Sequence, residues 1–362
     1  MTPPADVAIV PLSAFGWDSE WDAIATYRDD GVTPARVIRV DRGVCTAFGT
    51  AGTVRASVSG SVLDAMSRSS LEAPCAGDWV MLRRWPDARI TLEAVLPRRA
   101  VLMRAEAGLR SQGQVLAANV SAVGVVVALD RMPALTKVER LLALAWDSGA
   151  TPVVLLTKAD MAGDSADVAA DVRTNATDVD VICVSTVTGT GLPQIRALLA
   201  PGGTLALVGS SGAGKSTLVN ALVGAPVLRT RSIREDGRGR HTSVRRELVL
   251  LPSGGCVIDT PGLRGAGLFD VAHGLAATFA DVTALAQGCR FGDCRHEREP
   301  GCSVHAAIQR GELPPRRLES WRKLRREQAW ITARADARLA ADQTRRARLR
   351  RHGGQPPRRG SV

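Results

Sequence analysis

The stretch Gly209-Ser210-Ser211-Gly212-Ala213-Gly214-Lys215-Ser216 matches the pattern G-x-x-x-x-G-K-[ST] in full, and its surroundings agree with its letters. Thr204 to Val208 is an apolar run that predicts a buried strand, and Thr217 to Val223 continues with helical spacing. Strand, glycine turn and helix bring successive backbone N–H groups and the positive end of a helix to bear on phosphate oxygens. In such a site Lys215 reaches the β- and γ-phosphates and Ser216 offers its hydroxyl to Mg²⁺, while Gly209, Ser210, Ser211, Gly212, Ala213, Gly214 and Thr217 wrap the phosphate chain.

Working outward, the upstream strand Pro152 to Leu156 ends in Thr157-Lys158-Ala159-Asp160. An aspartate there can accept hydrogen bonds from both N1–H and the exocyclic amine of guanine, a pair that adenine does not offer. Asp160 is therefore the expected base reader, with the stem of Lys158 packed on the phosphate loop and the base. The next strand, Val181 to Val184, runs into Ser185-Thr186 and Gly189-Thr190-Gly191-Leu192, a segment similar to the one that closes over guanine in small GTPases. Downstream, Gly255 to Ile258 predicts a strand ending in Asp259-Thr260-Pro261-Gly262. In this D-x-x-G element Asp259 is expected to hold Mg²⁺ through water, and the Gly262 N–H to sense the γ-phosphate. Between the two lies Arg238-Gly239-Arg240-His241-Thr242-Ser243, in the position of the first switch. Thr242, or alternatively Ser243, is expected to complete the metal shell.

The base-reading elements precede the phosphate loop, whereas an ordinary GTPase has them after it. A circular permutation accounts for this order, because a sheet keeps its contacts when the chain is cut and rejoined elsewhere. The segment after Gly262 then becomes the edge of the domain and is joined directly to the C-terminal part of the chain.

That part opens with Cys289-x₄-Cys294-x-His296-x₅-Cys302. Three cysteines and a histidine form a complete tetrahedral set for one structural zinc ion, with His305 as an alternative to His296. Pro314-Pro315 leads into a helix on which Leu318, Trp321 and Leu324 form an apolar stripe, expected to pack on the zinc module with the arginines outward. Residues 315–362 carry 15 Arg/Lys against 4 Asp/Glu, which accounts for the whole net charge of +11. A neutral body with a basic tail predicts a polyanionic partner, most simply nucleic acid.

Before the phosphate-loop domain, Arg36–Val40, Val44–Phe48, Thr53–Val58, Trp79–Trp85 and Ile90–Val95 predict five short strands separated by turns, as in a small OB-type barrel. Arg98 to Gln114 reads as a linker. Residues 1–33, with Trp17, Trp21 and Ile24 on one side of a short helix, carry no chemistry. The first twenty residues lack the apolar core of a leader peptide and no stretch approaches the ~20 apolar residues of a bilayer span. A cytoplasmic, non-membrane, monomeric protein is expected.

Taken together the residues resemble the RsgA (YjeQ) family of circularly permuted GTPases, over about residues 35–330. The permuted order, Gly239-Arg240-His241-Thr242, Gly77-Asp78-Trp79-Val80 and the cysteine–histidine spacing carry the resemblance. It implies an N-terminal OB-type β-barrel (35–97), a central permuted α/β P-loop domain (115–272) and a mainly helical zinc-binding domain (273–350), flanked by an extension (1–34) and a disordered basic tail (351–362). It further implies GTP hydrolysis stimulated by the 30S ribosomal subunit, contact with 16S rRNA, and late maturation of that subunit, with Mg²⁺ and one zinc ion as cofactors. Lys215, Thr242 and His241 are the expected catalytic set, and Leu263 stands where Ras-like proteins have a water-orienting Gln. Thr157 replaces the family Asn, which predicts a lost contact to the phosphate loop and weaker nucleotide binding; Ser243 replaces a Thr. Two rival readings are a nucleotide-gated rRNA-binding module in which hydrolysis is incidental, and an ATP-dependent phosphotransferase.

Overall fold

The computed structural model describes residues 10–25, 31–105, 113–130, 132–163, 165–176, 178–199, 202–228, 246–260 and 271–352. The chain begins with a strap to which the sequence assigns no role. Asp18 caps helix α1 (Ser19–Ile24) by accepting from the Glu20 and Trp21 N–H groups, and capping aligns an otherwise very short helix. Phe15 stacks on Phe48 at 4.4 Å and Trp17 meets Trp79 edge-on at 4.7 Å, so the strap seals one flank of the barrel.

That barrel consists of β1 (Val32–Asp41), β2 (Val44–Gly49), β3 (Gly52–Val58), β4 (Trp79–Arg84) and β5 (Ile90–Val95), closed in the order β1-β2-β3-β5-β4. Its interior is filled by Ala35, Val37, Cys45, Ala47, Ala56, Val80, Leu82 and Leu92, with Val62 of α2 (Gly60–Arg68) entering from one end. Small residues dominate because five strands enclose little volume. Asp78, in the Gly77-Asp78-Trp79-Val80 motif, is fully buried and bidentate with Arg98 at 2.7 and 2.8 Å, and also accepts from the Cys75 N–H. The motif is a structural clamp, since a buried carboxylate is tolerated only when paired and hydrogen-bonded.

The segment read as a linker instead contains a hairpin, β6 (Val101–Ala105) with β7 (Gly113–Ala118). The sequence hid it because its strands are short and irregular: the register shifts between Leu102 and Met103. After it comes a six-stranded sheet of β8 (Ala122–Ala128), β9 (Thr151–Thr157), β10 (Asp180–Val184), β11 (Thr204–Gly209), β12 (Glu247–Leu250) and β13 (Cys256–Asp259), ordered β10-β9-β8-β11-β13-β12. All its ladders are parallel except β12 with β13. Helices α3 (Leu135–Asp147), α4 (Ser165–Asn175) and α5 (Leu192–Leu198) connect successive parallel strands, and α6 (Lys215–Val223) follows β11 ahead of the antiparallel β12.

The apolar strand runs are explained by burial of both faces. Val123, Val125, Val154, Leu156, Ala206 and Val208 join one core with α3 and α4. Their neighbours Val126, Val153, Leu155, Leu205 and Leu207 join the other with α5 and α6.

The C-terminal region is helical: α7 (Ala272–Thr278), α8 (Ala280–Ala286), α9 (Ser303–Gln309) and α10 (Pro315–His352). Gly274 lets α7 lie directly on the Ala143 carbonyl of α3, where a Cβ would collide. Leu318 and Leu324 are buried as expected, and Trp321 packs 5.3 Å from the His296 ring. Arg317 breaks the outward rule and is buried. It donates to Glu139 of α3 at 2.8 Å, to Asp281 at 2.8 and 3.1 Å and to the Thr278 carbonyl at 2.6 Å. Ser320 also donates to Glu139. The central sheet and the C-terminal helices therefore share one core and one buried ionic network. No helix among the described residues is long and apolar enough to cross a membrane.

Candidate functional site

The permuted motifs, scattered along the sequence, become neighbours at one edge of the sheet. Register places Val184 beside Thr157, Thr157 beside Ala128, Gly209 beside Val126, and Leu207 beside Asp259. The chain leaves β10, β9, β8, β11 and β13 at their carboxyl ends, and these exits form a row. Such an edge is where open α/β sheets bind ligands.

At its centre, the turn from β11 into α6 uses Gly212 and Gly214 at φ +81° and +90°, a conformation that side chains rarely adopt. Lys215 is buried, with its ammonium donating to the Gly209 and Ser210 carbonyls at 3.0 Å each. Burial lowers its pKa, and the nearby Asp259 charge works against that shift. Ser210, Ser211 and Thr217 lie exposed on the rim, and Ala213 is buried beneath it.

Asp259 at the end of β13 accepts from the Ser216 hydroxyl at 2.6 Å through Oδ2. Its other oxygen, Oδ1, is buried without a hydrogen-bond partner. Burial raises the pKa of this carboxyl, with the Ser216 hydrogen bond and the Lys215 charge opposing the shift. A buried, half-satisfied carboxylate beside a serine hydroxyl is what a hydrated divalent cation needs, so the donor set fits Mg²⁺.

On the base side, Ser185 donates to Asp160 Oδ1 at 2.6 Å and itself accepts from the Val187 and Thr188 N–H groups at 3.2 Å. Two segments 25 residues apart are thus joined. Asp160 is exposed at the mouth and Thr186 is half-buried beside it. The Lys158 ammonium is ion-paired to Asp130, just beyond β8, a partner the sequence did not suggest because no motif marks it. Lys158 takes a left-handed φ of +59°, and the ion pair anchors the tip of its side chain.

One part of the expectation for Thr157, the lost contact to the phosphate loop, needs correcting. Its hydroxyl donates to the Ala213 carbonyl at 2.6 Å, so the link between the base-reading strand and the phosphate loop is kept by a hydroxyl in place of an amide. His241, Thr242, Ser243, Gly262 and Leu263 lie outside the described residues.

About the α8–α9 connection, Cys289, Cys294, His296 and Cys302 bring their ligand atoms to within 4.8 Å of one another. Cys289 Sγ lies 3.6 Å and Cys302 Sγ 3.5 Å from His296 Nδ1, and the two sulfurs are 4.0 Å apart. Zn–S bonds of about 2.3 Å and Zn–N bonds of about 2.0 Å in a tetrahedron require edges of about 3.5–3.8 Å, so the set fits zinc. His305 is not among the four residues whose ligand atoms converge; it hydrogen-bonds through Nε2 to the His296 carbonyl at 2.7 Å and so braces the loop.

Residues 95–269 match the family model described as RsgA GTPase. The small ribosomal subunit biogenesis GTPase RsgA of Streptomyces coelicolor is 48% identical over 336 residues, covering 91% of this chain and 90% of the relative. That of Opitutus terrae is 41% identical over 342 residues, covering 91% and 93%. Among solved structures, YjeQ from Thermotoga maritima aligns with a TM-score of 0.59 at 22% identity over 81% of this chain and 97% of its own. YloQ, described as a circularly permuted GTPase, aligns with a TM-score of 0.56 at 21% identity over 86% and 98%. At such identities the structural matches speak for the fold alone.

Proposed function

The chain belongs to the RsgA family of GTPases, and on that premise we propose that it hydrolyses GTP while bound to the 30S ribosomal subunit and assists late maturation of that particle in the cytoplasm, as a monomer touching 16S rRNA. The observation that carries the reading is the row of strand ends that unites Asp160 and Ser185, the phosphate loop, and Asp259 with Ser216 in one site.

In this reading Asp160, aimed by Ser185, accepts from the guanine N1–H and amine, and Thr157 ties that strand to the phosphate loop. The N–H groups of 209–214 and Lys215 hold the phosphates. Ser216 and Asp259 hold Mg²⁺, with Thr242 completing its shell. When bound, that ion neutralises charge on the β- and γ-phosphate oxygens. Gly262 senses the γ-phosphate and His241 orients the attacking water, since Leu263 cannot. Cys289, Cys294, His296 and Cys302 hold one structural zinc. The buried bridge from α3 through Glu139 to Arg317 supports transmission of nucleotide state to the C-terminal helices.

GTP turnover with and without purified 30S subunits tests the reading. A marked acceleration by the subunit is expected, and a rate indifferent to it refutes the proposal. Single-turnover hydrolysis by H241A at saturating subunit tests the histidine: an unchanged rate removes its role.

A further inference from the structure

Helix α10 runs well past the zinc module, and its exposed face is not uniform. Arg326, Trp330 and Arg334 stand at i, i+4 and i+8, which places them in one stripe along about 12 Å of helix. Lys323 adds a further exposed cation one turn earlier. Trp330 is 59% exposed, the largest exposed aromatic surface among the described residues. The Arg334 guanidinium lies 4.4 Å from the centre of its ring, covering one face and leaving the other to solvent.

Between residues 320 and 334 the helix has one acid, Glu327, and it is turned to Arg140 of α3; Glu319, exposed, stands one turn before Lys323, away from Trp330. An indole held flat by one guanidinium, with further cations one turn away on the same line, has the parts of a single-strand nucleic-acid platform: a π-face for a base and cations for the phosphates either side. A bilayer surface would need several large apolar side chains on this face, and between Lys323 and Arg334 Trp330 is the one large apolar side chain that is exposed.

We propose that Trp330 stacks on an unpaired base of single-stranded RNA, with Arg326 and Arg334 on the flanking phosphates. The proposal deepens the reading of this protein as an rRNA-binding GTPase and identifies α10 as the element that grips unpaired RNA. Duplex RNA offers no free base face to the helix, so the stripe discriminates single strands from paired ones.

The test uses the full chain and a short single-stranded RNA carrying 2-aminopurine, with a hairpin RNA of the same composition as control. W330A is expected to weaken single-strand binding by about five- to a hundredfold and to remove the stacking quench of the fluorophore. It should leave hairpin binding within about twofold. W330F should retain most of both signals. R326Q should weaken both RNAs and flatten the salt dependence of single-strand binding by about 0.7 in log–log slope.

Since Trp330 is on the surface, the thermal midpoint of W330A should equal that of the parent. Single-strand affinity and quench unchanged in W330A overturn the proposal. Equal losses for both RNAs overturn it too, as does binding to anionic vesicles that depends on Trp330 while RNA binding does not. Association with 30S subunits, measured in parallel, separates the two claims: its absence refutes the ribosomal reading, while the RNA arms still decide the role of Trp330.

Discussion

Replacing Thr157 by valine keeps the shape and β-branching of the side chain and exchanges the hydroxyl for a methyl group. In the parent that hydroxyl donates to the Ala213 carbonyl at 2.6 Å, and Thr157 and Ala213 are 3% and 4% exposed. A second acceptor, the Val127 carbonyl, is 3.3 Å away and contributes little at that length. T157V therefore leaves the Ala213 carbonyl without this donor where water does not reach it, which costs about 1–3 kcal/mol.

Part of that loss appears as lower stability. Part appears as weaker nucleotide binding, because the phosphate loop loses the strut that holds it open towards the ligand, and each 1.4 kcal/mol corresponds to about a tenfold change in Kd. Chemical unfolding of the nucleotide-free chain and titration with labelled GDP read the two parts separately. T157S keeps the hydroxyl and should retain GDP affinity within about threefold, since only a methyl is lost. The reasoning is refuted if T157V matches the parent in both assays to within about 0.5 kcal/mol, or if T157S is the weaker GDP binder.

Burial raises the pKa of Asp259 above its ordinary 3.8; the stability this favours is complete at low pH and is lost as pH rises through the folded value, so near neutrality the buried carboxylate is a cost. Without nucleotide, D259N should melt higher than the parent at pH 7, with the gap closing towards acid, and should gain less from Mg²⁺·GDP; a lower melting point at pH 7 would contradict this. For the cysteine–histidine cluster, metal analysis of purified protein should find about one zinc per chain in the parent and in H305A, and a loss of metal in C302S. If H305A loses zinc as completely as C302S, the bracing role is wrong. R317M removes the buried cation that links Glu139 to Asp281 and leaves Glu139 with Arg316 at 3.5 Å as its remaining cation; breaking a buried pair costs about 3–5 kcal/mol, and Arg316 places this one at the lower end. Proteolysis should then cut between the sheet and α10 more readily than in the parent, and an unchanged digestion pattern would argue against the bridge.

The sequence by itself determined the features that lie within a few residues of chain. A phosphate loop is eight consecutive residues flanked by a strand and a helix, and the cysteine–histidine cluster spans Cys289 to Cys302. Both are legible because their geometry is set by local spacing. The permutation is legible too, since it is a statement about order. The alternating and continuous apolar runs marked the five barrel strands and β9, β10, β11 and β13 of the sheet, because burial of one or two faces writes a period into the chain; the short antiparallel edge strand β12 went unmarked.

Only the tertiary structure decided the contacts between distant segments. Thr157 reaches Ala213 across 56 residues, Arg317 reaches Glu139 across 178, and Arg36 of β1, buried with its pKa lowered to about 10, reaches Thr204 across 168. Asp130, which pairs with Lys158, and Arg317 look like ordinary surface charges in the sequence. Side-chain identity says which groups can pair; which ones do is fixed by the stacking of strands and helices, and that depends on the whole core at once.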